Sequence, residues 1–160
     1  MTFVVPFDAS ELAEAALERA VEYGHALDEE VVVVTVVPER KRYAIEKGWI
    51  DEDGSFDVDA VVERLCDRVA ALAPDASFDC ECIREFPPEA ELAERVERLA
   101  RKHDPSVLFL GTDNVGRIAT PLTSVGAHVA DEEVCDVHVV RRPTARGDAD
   151  LDSGADAASE

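Results

Sequence analysis

The residues best placed to do chemistry lie between Ser106 and Ala130, in the stretch SVLFLGTDNVGRIATPLTSVGAHVA. Val107 to Leu110 are apolar without interruption, which marks a strand buried on both faces in the middle of a parallel sheet. Gly111 ends the run, and a glycine there lets a ligand approach the backbone closely. Thr112 to Ala119 is a polar loop with a second glycine, Gly116, and a cation, Arg117. Thr120 and Pro121 then read as a helix start, threonine as the cap and proline at the first helical position, where no N–H is needed. Thr123 and Ser124 fall in the first turn of that helix. Strand, glycine loop and helix N-terminus in this order offer backbone N–H donors and the positive end of a helix dipole to an anion, commonly a phosphate. The plain alternative is that every strand-to-helix crossover has such a turn and this one binds nothing.

No other constellation competes with it. No nucleophile stands beside a base, the loop holds no lysine, and no pair of carboxylates has a useful spacing. The expectation is therefore no catalytic residues. Cys66, Cys80, Cys82 and Cys135 contain no C-x-x-C pair, which argues against a zinc ribbon or a thioredoxin-type site. Cys80 and Cys82 are two apart in what reads as a strand, so they share a face, and they are read as small buried hydrophobes. The histidines His25, His103, His128 and His138 lack ligand spacing. Asp51, Asp53, Asp57 and Asp59 do not place their glycine as an EF-hand loop does. No metal is expected.

Composition narrows the partners. The 160 residues suit one domain with a full core, and 46% are hydrophobic. No apolar run is long enough to span a membrane. The N-terminus has no basic region, and Phe3–Phe7 is short and broken by Pro6, so no signal peptide is expected and the reading is cytoplasmic. Acidic residues number 36 against 16 basic, a formal charge of −20. Such a surface repels nucleic acid and anionic membranes, whose phosphates are neutralised by Lys and Arg. The acid is spread along the chain, as a halophilic adaptation to a salty cytoplasm would require.

The elements that must position the loop follow in order. Phe3 to Phe7 reads as the first strand, and Asp8-Ala9-Ser10 as an acidic turn and helix cap, with capping the plainer role for Asp8 than contact with a ligand. Glu11 to Leu27 reads as a helix with Leu12, Ala16, Ala20, Tyr23 and Leu27 at helical spacing. Val31 to Val37 is a run of β-branched residues, a central parallel strand. Glu39 to Asp57 reads as a polar connection carrying the Arg40-Lys41-Arg42 run and Trp49. Val58 to Ala73 is a second helix. Phe78 to Ile83 alternates imperfectly, as an edge strand does. A third helix follows Pro87-Pro88 and uses Leu92, Val96 and Leu99; Asp136 to Val140 is the last strand. Residues 1–142 form one domain on this reading, and 143–160 form a disordered acidic tail. Strands and helices alternate throughout, which implies an α/β fold: a single open, doubly wound parallel sheet of five strands with helices on both faces, Rossmann-like. Ligands of such sheets sit outside the carboxyl ends of the strands where the winding reverses. The first and fourth strands flank that point, with Asp8-Ala9-Ser10 on one and the Gly111 loop on the other.

The opening FVVPFDASELAEAALERAVEYG resembles the universal stress protein family, whose members begin with a strand, a proline, an Asp-Gly-Ser-like turn and an Ala/Glu-rich helix. The second strand VVVVTVVPE, the LFLGT strand and its loop, and the final DVHVVRR resemble it too. The resemblance covers Met1 to Arg142 and implies the strand order 3-2-1-4-5. ATP-binding members carry Gly-x-x-Gly, nine residues and then Gly-Ser/Thr after the fourth strand. Here Gly111 matches the first glycine, Asn114 stands at the second, and Thr123-Ser124 stands in place of the final pair with one residue fewer between. The ATP loop is thus degenerate. The resemblance implies that Asp8, Ala9, Val36 and Val37 line an adenine-side pocket. It places Gly111, Thr112, Gly116, Thr123 and Ser124 on the phosphates, with Arg117 as a bidentate donor to them.

Two functions follow. One is a cytoplasmic stress-response regulator that holds ATP, with magnesium, or a related nucleotide, hydrolysing it weakly at most. The other is a family member that binds no nucleotide and acts as a homodimeric protein-interaction module through the last strand, Asp136–Val140. Asn114 and Thr123 favour the second. An enzyme of the wider α/β group ranks third.

Overall fold

A computed structural model of the chain describes residues 2–84, 88–111 and 135–141. Five strands build one sheet: β1 (Thr2–Pro6), β2 (Glu30–Pro38), β3 (Ser77–Ile83), β4 (Val107–Gly111) and β5 (Asp136–Val140). Their order is β3-β2-β1-β4-β5, and every neighbouring pair runs parallel. This is the open α/β sheet that the alternating pattern implies. β1 has β2 on one side and β4 on the other, so the winding reverses between β1 and β4. The expected helix beginning at Thr120-Pro121 and the expected tail 143–160 lie outside the described residues.

The sheet is buried on both faces because its strands are apolar at successive positions, not at alternate ones. In β2, Val31, Val33 and Val37 face a core shared with Phe3, Val5 and Phe109, while Val32, Val34 and Val36 face a second core with Val4, Leu108 and Leu110. The first core is covered by two helices, α1 (Glu11–Leu27) and α3 (Val58–Leu72), through Ala16, Leu17, Ala20, Val61, Leu65 and Val69. The second is covered by α4 (Glu89–Arg101) through Leu99, Ala100, Leu92 and Val96. Each fully buried valine or leucine contributes about 1.5–3 kcal/mol relative to leaving it in water.

Three sequence expectations change. Leu27 does not face the core: it is exposed at the last turn of α1. The buried face of α1 instead consists of Ala13, Ala15, Ala16, Leu17, Ala20 and Gly24, all but Leu17 small residues that let the helix lie close to the strands. The polar connection after β2 is not all loop. It contains a short helix, α2 (Lys41–Glu46), and brings Trp49 down to 3% exposure against the first core. The cysteines are not uniformly buried: Cys66 and Cys82 are exposed, and Cys80 and Cys135 are half-buried. Period two correctly puts Cys80 and Cys82 on one face, but that face of β3 is only partly covered because β3 is an edge.

An aromatic cluster fastens the other edge. Phe109 stacks on His138 of β5 at 5.0 Å and 24° and packs with Phe3 at 5.2 Å. Tyr23 of α1 meets the His138 ring edge-on at 5.2 Å. Partial burial, and then the charge of Arg19, hold the His138 imidazolium below its ordinary value.

Candidate functional site

The carboxyl end of β1 turns sharply into α1, and the turn is built residue by residue. Phe7 still pairs with the sheet, its N–H donating to Val34 at 2.9 Å. Its carbonyl, past the end of the strand, accepts from the Thr35 hydroxyl at 2.8 Å. Thr35 is the one buried polar residue among those described, and this bond is why a threonine interrupts the valine run. Asp8 then folds back, its Oδ1 accepting from Ser10 N–H at 3.0 Å. Ala9 takes a left-handed conformation, φ 64°. Ser10 caps α1, its Oγ accepting from Ala13 N–H at 3.2 Å. The capping expected of Asp8 therefore falls to Ser10, two residues closer to the helix.

Asp8 is engaged elsewhere. Its Oδ2 lies 2.7 Å from the Lys47 ammonium, and both side chains are mostly buried. Burial alone would raise the Asp8 carboxyl. The attraction and hydrogen bond of Lys47, with the bonds from Ser10, outweigh it and hold the group below its usual value. Asp8 is thus a charged carboxylate. Trp49 Nε1–H donates to the Asp8 carbonyl at 2.9 Å, and Arg64 of α3 donates to the Trp49 carbonyl. Tyr43 meets the Trp49 ring at 5.5 Å, and the Lys47 ammonium lies 5.7 Å from the Tyr43 ring centre. The segment after β2 is in this way tied down over the β1 turn. Lys47, Trp49, Thr35 and Arg64 escaped the sequence reading. Trp49 alone carried a signal, as the single tryptophan of the chain set in a polar stretch.

Gly111 ends β4 beside this turn. A Cβ on it would stand 2.7 Å from Leu12 Cβ and 3.3 Å from the Leu12 carbonyl carbon and oxygen. The start of α1 and the end of β4 are therefore in direct contact, and the structure brings Asp8, Ala9 and Gly111 to one rim. Val36 and Val37 end β2 on the same side of the sheet, but they point to opposite faces and are 5% and 0% exposed. Thr112, Gly116, Arg117, Thr123 and Ser124 lie outside the described residues.

The charge at the rim is balanced from within. Asp8 faces Lys47, and Glu14 in the first turn of α1 accepts from Arg68 Nε and Nη2 at 2.7 and 2.6 Å. That second pair is exposed, so it contributes little to stability, yet it places a fixed cation near an acidic helix start. Among the described residues no group of three or more His, Cys, Asp or Glu side chains is placed to hold a metal ion. The His103 ring and Asp79, 2.7 Å apart, join the end of α4 to β3. No described helix is long and apolar enough to cross a membrane.

Comparison with known proteins agrees with this architecture. No curated protein matches the sequence. Among solved structures, a universal stress protein in complex with cAMP is 22% identical, covering 88% of this chain and 97% of that one, with a TM-score of 0.50. A universal stress protein from Lactobacillus plantarum is 20% identical over 88% of this chain and 97% of that one, TM-score 0.51. A family protein from Burkholderia pseudomallei is 22% identical over 88% of this chain and 96% of that one, TM-score 0.50. These likenesses show the fold. The universal stress protein family matches residues 1–141 of the 160, every described residue among them, and the protein therefore belongs to that family.

Proposed function

We propose that this protein is a cytoplasmic stress-response regulator that binds an adenine nucleotide, ATP with magnesium or a related one, at the rim between β1 and β4. The observation that carries the reading is the meeting of the Asp8–Ser10 turn with Gly111 at the point where the sheet reverses its winding. A solved relative of the same fold holds cAMP. Asp8, Ala9, Val36 and Val37 would stand on the nucleoside side, and Gly111, Thr112, Gly116, Arg117, Thr123 and Ser124 on the phosphate side. The described rim holds no nucleophile–base pair, which favours holding the nucleotide over transforming it. Isothermal titration with ATP and magnesium in molar KCl tests the reading. Saturable heat supports it, and no heat up to about 1 mM ligand, a binding free energy weaker than about −4 kcal/mol, rejects it.

A second reading rests on β5. It is the last strand of the described sheet, and Val139 is exposed on it. An apolar edge strand is a template for pairing with another chain. We infer that Asp136–Val140 forms a homodimer seam, with or without nucleotide. Light scattering that finds a monomer at every concentration rejects this.

A further inference from the structure

We propose that Cys80 and Cys82 form a reversible disulfide within edge strand β3, a thiol redox site that exchanges with low-molecular-weight disulfides. The two residues sit in register with Thr35 and Val37 of β2 and so share one face of the strand. Their Cα atoms are separated by two strand residues, about 6.5 Å. That lies at the long end of the Cα span a disulfide bridges, about 4.4–6.8 Å, and the parallel Cβ atoms, about as far apart, must close to about 3.5–4.5 Å. A bridge formed at this limit is strained, hence easily reduced, as regulatory disulfides are. The strand can pucker to close the gap because β3 pairs with β2 alone in the described sheet. Side chains two apart in a strand leave it on the same side, so the two thiols are neighbours.

The two sulfurs differ in a way that assigns their order. Cys82 is exposed, so a small disulfide reaches it first. Cys80 is half-buried against the first core, and burial, then the neighbouring Cys82, push its thiol up to about 12. Burial also raises Cys82, but the neighbouring Cys80 thiol offsets part of this. Cys82 is the attacking group and Cys80 the resolving one. The Cys82 thiol loses its proton to water, and its sulfur attacks one sulfur of R–S–S–R. The R–S–S–R bond breaks, and RS⁻ leaves and takes up a proton. Cys80 then loses its proton to water, attacks the Cys82 sulfur, and displaces the second RS⁻, which is protonated in turn. Two protein thiols are oxidised to one disulfide while one small disulfide is reduced to two thiols. Cys66, exposed on α3, is the competing partner.

The sequence makes the test clean. Cleavage after arginine leaves Cys80 and Cys82 on one peptide, residues 69–84, and Cys66 on another, residues 65–68. The full chain is equilibrated with excess oxidised glutathione, alkylated, cleaved and weighed. The expected product is peptide 69–84 lighter by two hydrogens, restored by reduced glutathione. Cys66→Ser leaves it unchanged, and Cys80→Ser stops at a glutathione adduct on Cys82. Free thiols only, glutathione adducts without a bridge in the unsubstituted chain, or a bridge to Cys66 or Cys135 overturns the proposal. Cys82→Ser, at an exposed position, checks that loss of the bridge is not loss of the fold.

Discussion

Gly111 lies so close to Leu12 that a single carbon added to it would stand 2.7 Å from the Leu12 Cβ. A glycine that the sequence presents as room for a ligand is, in the folded chain, room for helix α1. Both uses follow from the missing side chain, but the packing use is there whether or not anything binds. The close approach also fixes how the rim is made, since it holds the Ser10 cap and the end of β4 together.

Gly111→Ala should therefore destabilise the protein without any ligand, by about 1–3 kcal/mol, the usual cost of overfilling a packed site. Leu12→Ala should not relieve it, because the crowding atom is the Cβ that alanine retains. Urea unfolding of the two single variants and the double variant measures this. A double variant restored to the stability of Leu12→Ala alone would contradict the contact.

Lys47→Met should cost about 1–2 kcal/mol at neutral pH, the worth of a charge-assisted hydrogen bond discounted for partial exposure. The loss should depend on pH with a definite sign. The Asp8 carboxyl titrates below its ordinary value in the folded protein. Its contribution is complete above the unfolded value of about 3.9 and disappears as pH falls through the lower folded value. The gap between parent and variant should therefore close in acid, below about pH 4. A gap constant from neutral pH down to acid would show that the pair is not what Lys47 contributes.

Ala9 occupies the left-handed region at φ 64°, where a Cβ is crowded by backbone. Ala9→Gly should remove that strain and raise stability by up to about 1 kcal/mol after the added freedom of the unfolded chain is counted. Thermal unfolding with and without the substitution checks it. A clear loss of stability would mean that the packing of the Ala9 methyl against the core outweighs the strain.

The formal charge of −20 makes salt a stability variable. Screening shortens from about 10 Å at 0.1 M to about 3 Å at 1 M salt. The melting temperature should rise from low to molar KCl. No change between them would remove the grounds for reading the acidity as adaptation to salt.

Much of the fold was legible because it is written in runs. The valines of β2 declare a strand covered on both faces, and the spacing in Glu11–Leu27 gave a helix with those bounds. What stayed hidden depends on contacts between distant residues. α2 lies in a charged stretch, with only Ala44 buried and no side-chain cap, so its pattern resembles a loop. Lys47 and Arg64 gain their roles only when α2 and α3 fold back over β1. Asp8 looked like a cap because caps are local. Its strongest partner is 39 positions away.

The central claim, that a nucleotide sits where β1 and β4 diverge, is tested most directly by amide NMR shifts during ATP titration in molar KCl. The account predicts saturable shifts at Ala9, Ser10 and Gly111, accompanied by a change in the Trp49 indole signal through its bond to Asp8. The opposite end of the sheet, at Glu29 and Ala76, should stay still. Shifts confined to that opposite end, or none at saturating nucleotide, would contradict it.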